Sequence, residues 1–393
     1  MWRWVFLALL ALGIIVFGFS LMDANGGDGI SADVILMSVS GDTGGFAQAT
    51  APYNWQFPSD FGAHPAFQTE WWYYTGNLKT ADGRHFGYQF TIFRRALTPP
   101  LSPALPSAQD DTASEWRADQ IYMAHFAVSD VEGGRYFHEQ RFSRGSAGLA
   151  GATADPVYRV WLEDWQVVAL DETAQITQIT AQSEAFGINL RLDQLKPPAL
   201  QGDNGLSPKS DEPGNASYYY SLTRLQTEGT ISVNDQTFEV SGASWKDHEF
   251  STSALGADAQ GWDWFGLQLD DNRELMLGQI RMVDGSREPA FGGLLVNADG
   301  STRYLSAEDF NIEVTATWTS PHTGAAYPAG WNISVNTGAE RLDITLTPLL
   351  ADQELHGGGG VDYWEGAVAI SGDAAGYGYA ELTGYAQAMT GRF

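Results

Sequence analysis

Thr69-Glu70-Trp71-Trp72-Tyr73-Tyr74-Thr75-Gly76-Asn77-Leu78 is the stretch on which the reading of this chain turns. On a strand, successive side chains point to opposite faces. Trp71 and Tyr73 then share one face, and Trp72 and Tyr74 share the other. Both faces must meet apolar material, either packed protein or a ligand; rings in such numbers most often pack. The same period of two recurs downstream. Phe86, Tyr88, Phe90 and Ile92 alternate with Gly87, Gln89 and Thr91, and the runs Tyr122–Val128 and Phe186–Leu192 repeat the pattern. Turn signals punctuate these runs at Asp82-Gly83, Asn234-Asp235, Asp271-Asn272, Asp284-Gly285 and Asp299-Gly300. No long amphipathic helix is visible. Segments 97–115 and 196–216, rich in proline and polar residues, read as long loops.

With 393 residues, the chain has room for about two domains or one large one. Its 44% hydrophobic and 13% aromatic content can fill a sizeable core, which excludes a disordered chain. Hairpin strands run through two halves of similar length, divided somewhere in 235–255. That pattern predicts an all-β chain of two antiparallel barrels or sandwiches. An eight-stranded barrel leaves an interior for side chains or one small ligand. Acidic residues number 48 against 21 basic ones, for a net charge of −27. Such a chain repels phosphate backbones, so no nucleic-acid partner is expected. The absence of cysteine excludes disulfides, thiolate catalysis and Cys-ligated metals.

After Arg3, an uncharged run extends from Trp4 to Met22. As a helix it would span ~28 Å, close to the hydrocarbon core of a bilayer. We read residues 1–22 as a signal peptide or signal anchor of bacterial type, and 23–50 as a Gly-, Ser-, Ala- and Asp-rich linker. A domain over 51–242 and another over 243–393 complete the division. The expected location is periplasmic or secreted, with residues 4–22 available as an inner-membrane anchor.

The chemistry-bearing candidates lie in Ser244-Trp245-Lys246-Asp247-His248-Glu249-Phe250 and Gly261-Trp262-Asp263-Trp264-Phe265. Ionisable groups beside large rings have shifted pKa values, which acid–base catalysis requires. Strand parity puts Asp247 and Glu249 on one face, and Lys246, His248 and Phe250 on the other. Arg94 and Arg95 end an apolar strand, and one of them could pair a buried Glu70 or Asp247. The seven histidines fall at 64, 85, 125, 138, 248, 322 and 356, without metal-ligand spacing. No G-x-S-x-G, P-loop or dinucleotide fingerprint is present, so neither metal nor other cofactor is expected.

Four segments together, in order, resemble a known family. They are Phe57-Pro58-Ser59-Asp60-Phe61-Gly62-Ala63-His64-Pro65, Glu70-Trp71-Trp72-Tyr73-Tyr74-Thr75-Gly76, Trp245–Phe250 and Gly261–Asp270. The tail, Tyr363–Val368 and Gly378–Tyr385, agrees. The chain resembles the AttH-type lipocalin-like family, similar to carotenoid 1,2-hydratases, over about residues 53 to 390. The resemblance implies two tandem lipocalin-like antiparallel β-barrels packed together behind an export helix. It also implies an extracytoplasmic protein associated with an ABC-type transporter. In the hydratase branch, the resemblance implies that a protonated acid in a dry, ring-lined pocket protonates an isolated C=C bond, giving a tertiary carbocation that water captures. His248 matches that branch's histidine, Phe250 replaces its tryptophan, and the strand Leu275–Ile280 holds neither tyrosine nor carboxylate. A donor would have to come from Asp247, Glu249 or Asp263.

Two functions follow as expectations. One is binding of an apolar small molecule (isoprenoid, lipid or polyketide-like) in a cleft formed by Glu70, Trp71, Trp72, Tyr73, Trp245, Phe250, Trp262 and Trp264. The other is a hydratase, isomerase or cyclase acting on such a molecule, with Asp247 and His248 as acid–base groups.

Overall fold

The computed structural model describes residues 43–100, 118–252, 255–256, 258–358 and 360–389. The expected export segment and most of segment 97–115 lie outside them. Among the described residues there is no α-helix, only a 3-10 turn at Ser59–Phe61. The strands form a 13-stranded sheet, a 10-stranded sheet and a two-stranded ribbon, all paired antiparallel. The two large sheets curl into two nearly closed barrels, as the alternating runs predict. The strand Gln236–Ser251 belongs to the first sheet along its whole length, and the second sheet starts with Ala259–Leu269.

Each barrel encloses its own core. Trp72, Tyr74, Phe86, Tyr88, Phe90, Ile92, Phe126 and Leu190 fill the first. Phe265, Leu267, Leu277, Trp331, Trp364 and Val368 fill the second. Hairpin turns fall where the sequence signals them. Asn234, at φ 52°, lies in the two-residue link between Ala216–Val233 and Gln236–Ser251, a left-handed conformation that Asn tolerates better than most residues. Segment 196–216 is more ordered than its composition suggests: Ala199–Leu200 and Leu206–Pro208 pair with Ala216–Val233.

The barrels also meet each other, so their central strands are buried on both faces. Strand His85–Ala96 is almost wholly buried, with its even-numbered aromatics inside and Gly87, Gln89 and Thr91 turned toward the second barrel. A Cβ at Gly87 would sit 2.6 Å from the Tyr379 hydroxyl and 2.9 Å from Ala367 Cβ, so a side chain would push the barrels apart. A buried carboxylate ties them further. Glu274 of the second sheet accepts from Lys196 (2.8 Å), Arg224 and Thr223 of the first.

A second buried carboxylate fastens the first barrel. Glu70 Oε2 accepts from Arg94 Nε at 2.9 Å, and Oε1 accepts from His64 Nδ1 and His248 Nε2, each at 2.8 Å. Burial would raise the Glu70 pKa, but the Arg94 guanidinium and the two imidazoles hold it well below the usual range. Arg94 also donates to the carbonyls of His64 and Phe67, joining the turn segment to three strands. Removing one member of such a buried pair strands the other's charge. Arg94→Met should therefore cost about 3–5 kcal/mol of unfolding free energy in a urea titration. A loss within about 1 kcal/mol, as for a surface pair, would contradict this role.

Candidate functional site

The cavity lies between the barrels, built from the outer faces of their strands. Trp71 and Tyr73 reach it from Thr69–Lys79, Phe93 from His85–Ala96, and Met123 and His125 from Gln120–Asp130. Trp262 and Trp264 enter from Ala259–Leu269, and Tyr363, Glu365 and Glu381 from the two closing strands. The parity that sends Phe265 and Leu267 into the second core sends Trp262 and Trp264 outward into this space. Its volume is about 130 Å³. A cavity of ~150 Å³ lined by apolar side chains takes a benzene ring. The enclosed part of this one therefore suits a single ring or a branched five-carbon group.

Its walls are rich in aromatic rings, and four carboxyls, Asp247, Glu249, Glu365 and Glu381, line it. Asp247 accepts from Trp245 Nε1 at 2.7 Å and Ser221 Oγ on one oxygen, and from the Tyr219 hydroxyl at 2.6 Å on the other. Burial pushes its pKa up to about 7, although all three hydrogen bonds oppose the rise. Glu365 and Glu381 stand directly opposite each other in the register of their paired strands. Burial lifts Glu381 to about 8 against a hydrogen bond from Trp262. Burial, then the charge of Glu381, lifts Glu365 well above the carboxylate range. Glu249 forms an ion pair with Lys209 at 2.7 Å. Burial takes His125 down to about 3, so it is a neutral imidazole, with Nδ1 2.7 Å from the Tyr363 hydroxyl. At neutral pH Glu365 and most of Glu381 are thus carboxylic acids, Asp247 is near its midpoint, and Glu249 is paired with Lys209.

The residues singled out in the sequence divide between two places. Trp71, Tyr73, Asp247, Trp262 and Trp264 line the cavity. Trp245 packs behind Trp264 and donates to Asp247. Glu70, Trp72, His248 and Phe250 lie on the opposite face of the same strands, inside the first barrel or against its turn segment. His248 bonds Tyr220 and Glu70 and stacks on Trp72; burial pulls its pKa down to about 4. It does not reach the cavity, so Asp247 and His248 do not share one site. Of the other donors considered, Glu249 lines the cavity, whereas Asp263 pairs with Arg281 at 3.0 Å. Glu365, Glu381 and His125 were not singled out. A carboxylate at alternate positions of an otherwise apolar strand was the signal that could have marked the two glutamates.

His64, Glu70 and His248 also bring three potential metal-ligating atoms within 4.8 Å of one another. The carboxylate oxygen they share already accepts two imidazole N–H groups, and the Arg94 guanidinium sits on the other oxygen. A fixed cation beside the donor set disfavours a metal, and the group acts as an ion-paired fastening.

The model of the AttH-like family matches residues 48–385. A Nitrosomonas europaea protein designated AttH is 34% identical over 86% of this chain and all of its own, with a TM-score of 0.75. Kievitone hydratase from Nectria haematococca shares the fold at 14% identity, covering 87% of this chain and 99% of its own, with a TM-score of 0.59. No curated protein matches the chain. Two packed antiparallel barrels, the quoted motifs and these matches agree: the chain belongs to the AttH-like family.

Proposed function

We propose that the chain binds an apolar, unsaturated small molecule between its barrels and catalyses proton-initiated addition of water to, or isomerisation of, a C=C bond. One observation carries this reading. Three buried carboxyl groups with raised pKa values, Asp247, Glu365 and Glu381, face an aromatic cavity. An alkene is a weak base. Protonating it needs an acid still protonated near neutral pH, and little water to compete for the proton. The Asp247 O–H bond breaks as a C–H bond forms with the alkene's π pair, leaving a cation on the more substituted carbon. Trp71, Trp262 and Trp264 line the cavity and supply aromatic rings able to stabilise that cation. Water then forms the C–O bond, and its surplus proton returns to the Asp247 carboxylate, restoring the acid. Loss of a different C–H proton to the Asp247 carboxylate, in place of water attack, gives the isomer and restores the acid.

Kievitone hydratase supports the proposal only as a relative in fold that bears a hydratase name; the case for this chain rests on its own acids. Saturable binding without turnover would favour a carrier in the same cavity. On either reading, an export role for residues 1–22, as their sequence suggests, would put the work outside the cytoplasm. The transporter partner implied by the family resemblance would then supply or remove the ligand.

The test is incubation of the full chain with isoprenoid alkenes and prenyl-substituted phenols in H₂¹⁸O, read by mass spectrometry. The expected product carries one heavy oxygen, and Asp247→Asn should slow its formation about 10²–10⁴-fold. Saturable binding with no incorporation and no isomer from any alkene would overturn the enzyme reading. The active form is the protonated acid, so the rate should fall as pH rises through about 7, where Asp247 ionises. A rate that climbs through that range would remove Asp247 as the donor.

The same groups predict a stability trend. A carboxyl whose pKa is higher in the folded state binds its proton more tightly there, so its contribution is lost as pH rises through that value. The Glu381 contribution is lost from the ordinary glutamate value of 4.5 up to about 8. The melting temperature should therefore decline across this window, and Glu381→Gln should flatten the decline. An unchanged slope in the variant would show that Glu381 ionises freely in the folded protein.

A further inference from the structure

His125 lines the cavity, and strand pairing sets it level with Asp247. Asp247 stands opposite Tyr73, Tyr73 opposite Thr91, and Thr91 opposite His125. These residues form one row across neighbouring strands, and all of them line the cavity. The strand spacings between put His125 ~14 Å from Asp247 along the sheet. Phe93 meets the His125 ring edge-on at 5.3 Å, and Tyr363 stacks on it at 5.6 Å.

The imidazole is neutral, so it carries one proton and one lone pair. Gln89 Nε2 donates to the Tyr363 hydroxyl at 3.1 Å, and that hydroxyl lies 2.7 Å from His125 Nδ1. The arrangement that satisfies both groups sends the hydroxyl proton to Nδ1 and leaves the ring proton on Nε2. Nε2 is buried and has no hydrogen-bond partner in the protein. A buried N–H without an acceptor costs stability, so it calls for a partner from outside the chain.

We infer that His125 Nε2–H anchors an oxygen acceptor on the ligand, a carbonyl or hydroxyl carried by the same unsaturated molecule whose C=C bond lies at Asp247. This assignment rests on the cavity being the ligand site proposed above, and it narrows the ligand from a hydrocarbon to an oxygenated alkene. A hydrogen bond at one end of the row and a proton transfer at the other leave roughly 8 Å between the ligand's oxygen and its reacting carbon. Anchoring then selects among several C=C bonds, because only one at that distance meets the acid. A neutral imidazole donates this bond without bringing a charge into apolar surroundings.

The test uses geranylacetone, whose carbonyl and distal alkene can span that distance, bound to the full chain. The ¹³C-labelled carbonyl stretch, read by infrared difference spectroscopy, should lie below its value in alkane solvent. His125→Phe, which keeps a ring between Phe93 and Tyr363, should return it toward that value. In a tryptophan-fluorescence titration, the same variant should weaken the ketone about tenfold relative to the hydrocarbon with CH₂ in place of C=O. A stretch at the alkane value in the native chain would overturn the assignment, whatever the variant does. So would a variant that weakens both ligands equally, or failure of the ketone to bind. Neither readout needs turnover. A lowered stretch that depends on His125, with no heavy oxygen taken up from H₂¹⁸O, would remove the enzyme reading and leave the anchor standing.

Discussion

Burial of the same strands on both faces is the constraint on which the rest of this structure depends. A strand in a free-standing barrel shows one face to the core and one to water. Here Thr69–Lys79 sends Trp72 and Tyr74 into the first core and Tyr73 into the layer between the barrels. Ala259–Leu269 does the same for the second barrel, with Phe265 and Leu267 inward and Trp264 outward. The cavity is thus the unfilled part of an interface, not the mouth of a barrel. Its walls cannot move without disturbing two cores, which holds its groups in fixed positions at little further cost in ordering.

That rigidity explains how the structure tolerates its buried acids. An ionised carboxylate in apolar surroundings must be paired, or it takes up a proton. The molecule uses both solutions. Glu70 and Glu274 are ion-paired and fasten strands and barrels together. Asp247, Glu365 and Glu381 instead have their pKa values raised, and they are the ones that face the cavity. Guanidinium and ammonium groups attend the structural carboxylates, whereas rings and hydroxyls attend Asp247, Glu365 and Glu381; Glu249, also in the cavity, is paired with Lys209. Packing alone gives no reason to bury Glu365 directly opposite Glu381, where apolar residues would avoid the desolvation cost.

Much of the fold was legible because period two is a local property. The runs Phe86–Ile92, Tyr122–Val128 and Phe186–Leu192 lie in the first core as read, and Asn234 turns its hairpin where its side chain predicts. Parity also separated Asp247 from His248. It could not say which face looked at the cavity, because strands buried on both sides lose the polar–apolar contrast that would tell core from interface. Glu70, Trp72 and Phe250 therefore looked like equals of Trp71 and Tyr73, although they face the other way. That Arg94 or Arg95 could pair Glu70 or Asp247 was legible from a charge at the end of an apolar strand; that the pair is Arg94 with Glu70 emerges only from the register. Glu365 and Glu381 were visible only as acids within the closing strands. Their significance depends on the register that sets them opposite each other, which no local pattern encodes.

His125 marks the same limit in a sharper form. Read along the chain, positions 125 and 247 have no spacing to connect them, and motif reasoning passes over His125. Ligand spacing is informative when one helix or hairpin supplies a whole site. In a two-barrel protein, a site between domains draws each group from a different strand or loop, and its sequence separations record only the topology. The cavity acids obey the same rule: Asp247 comes from the first sheet, Glu365 and Glu381 from the second. For this architecture, the useful sequence signal is an ionisable residue on the outward face of a strand whose outward neighbours are apolar. Glu365, between Tyr363 and Ala367, satisfies it, Glu381 does so on its Tyr379 side, and both reach the space between the barrels.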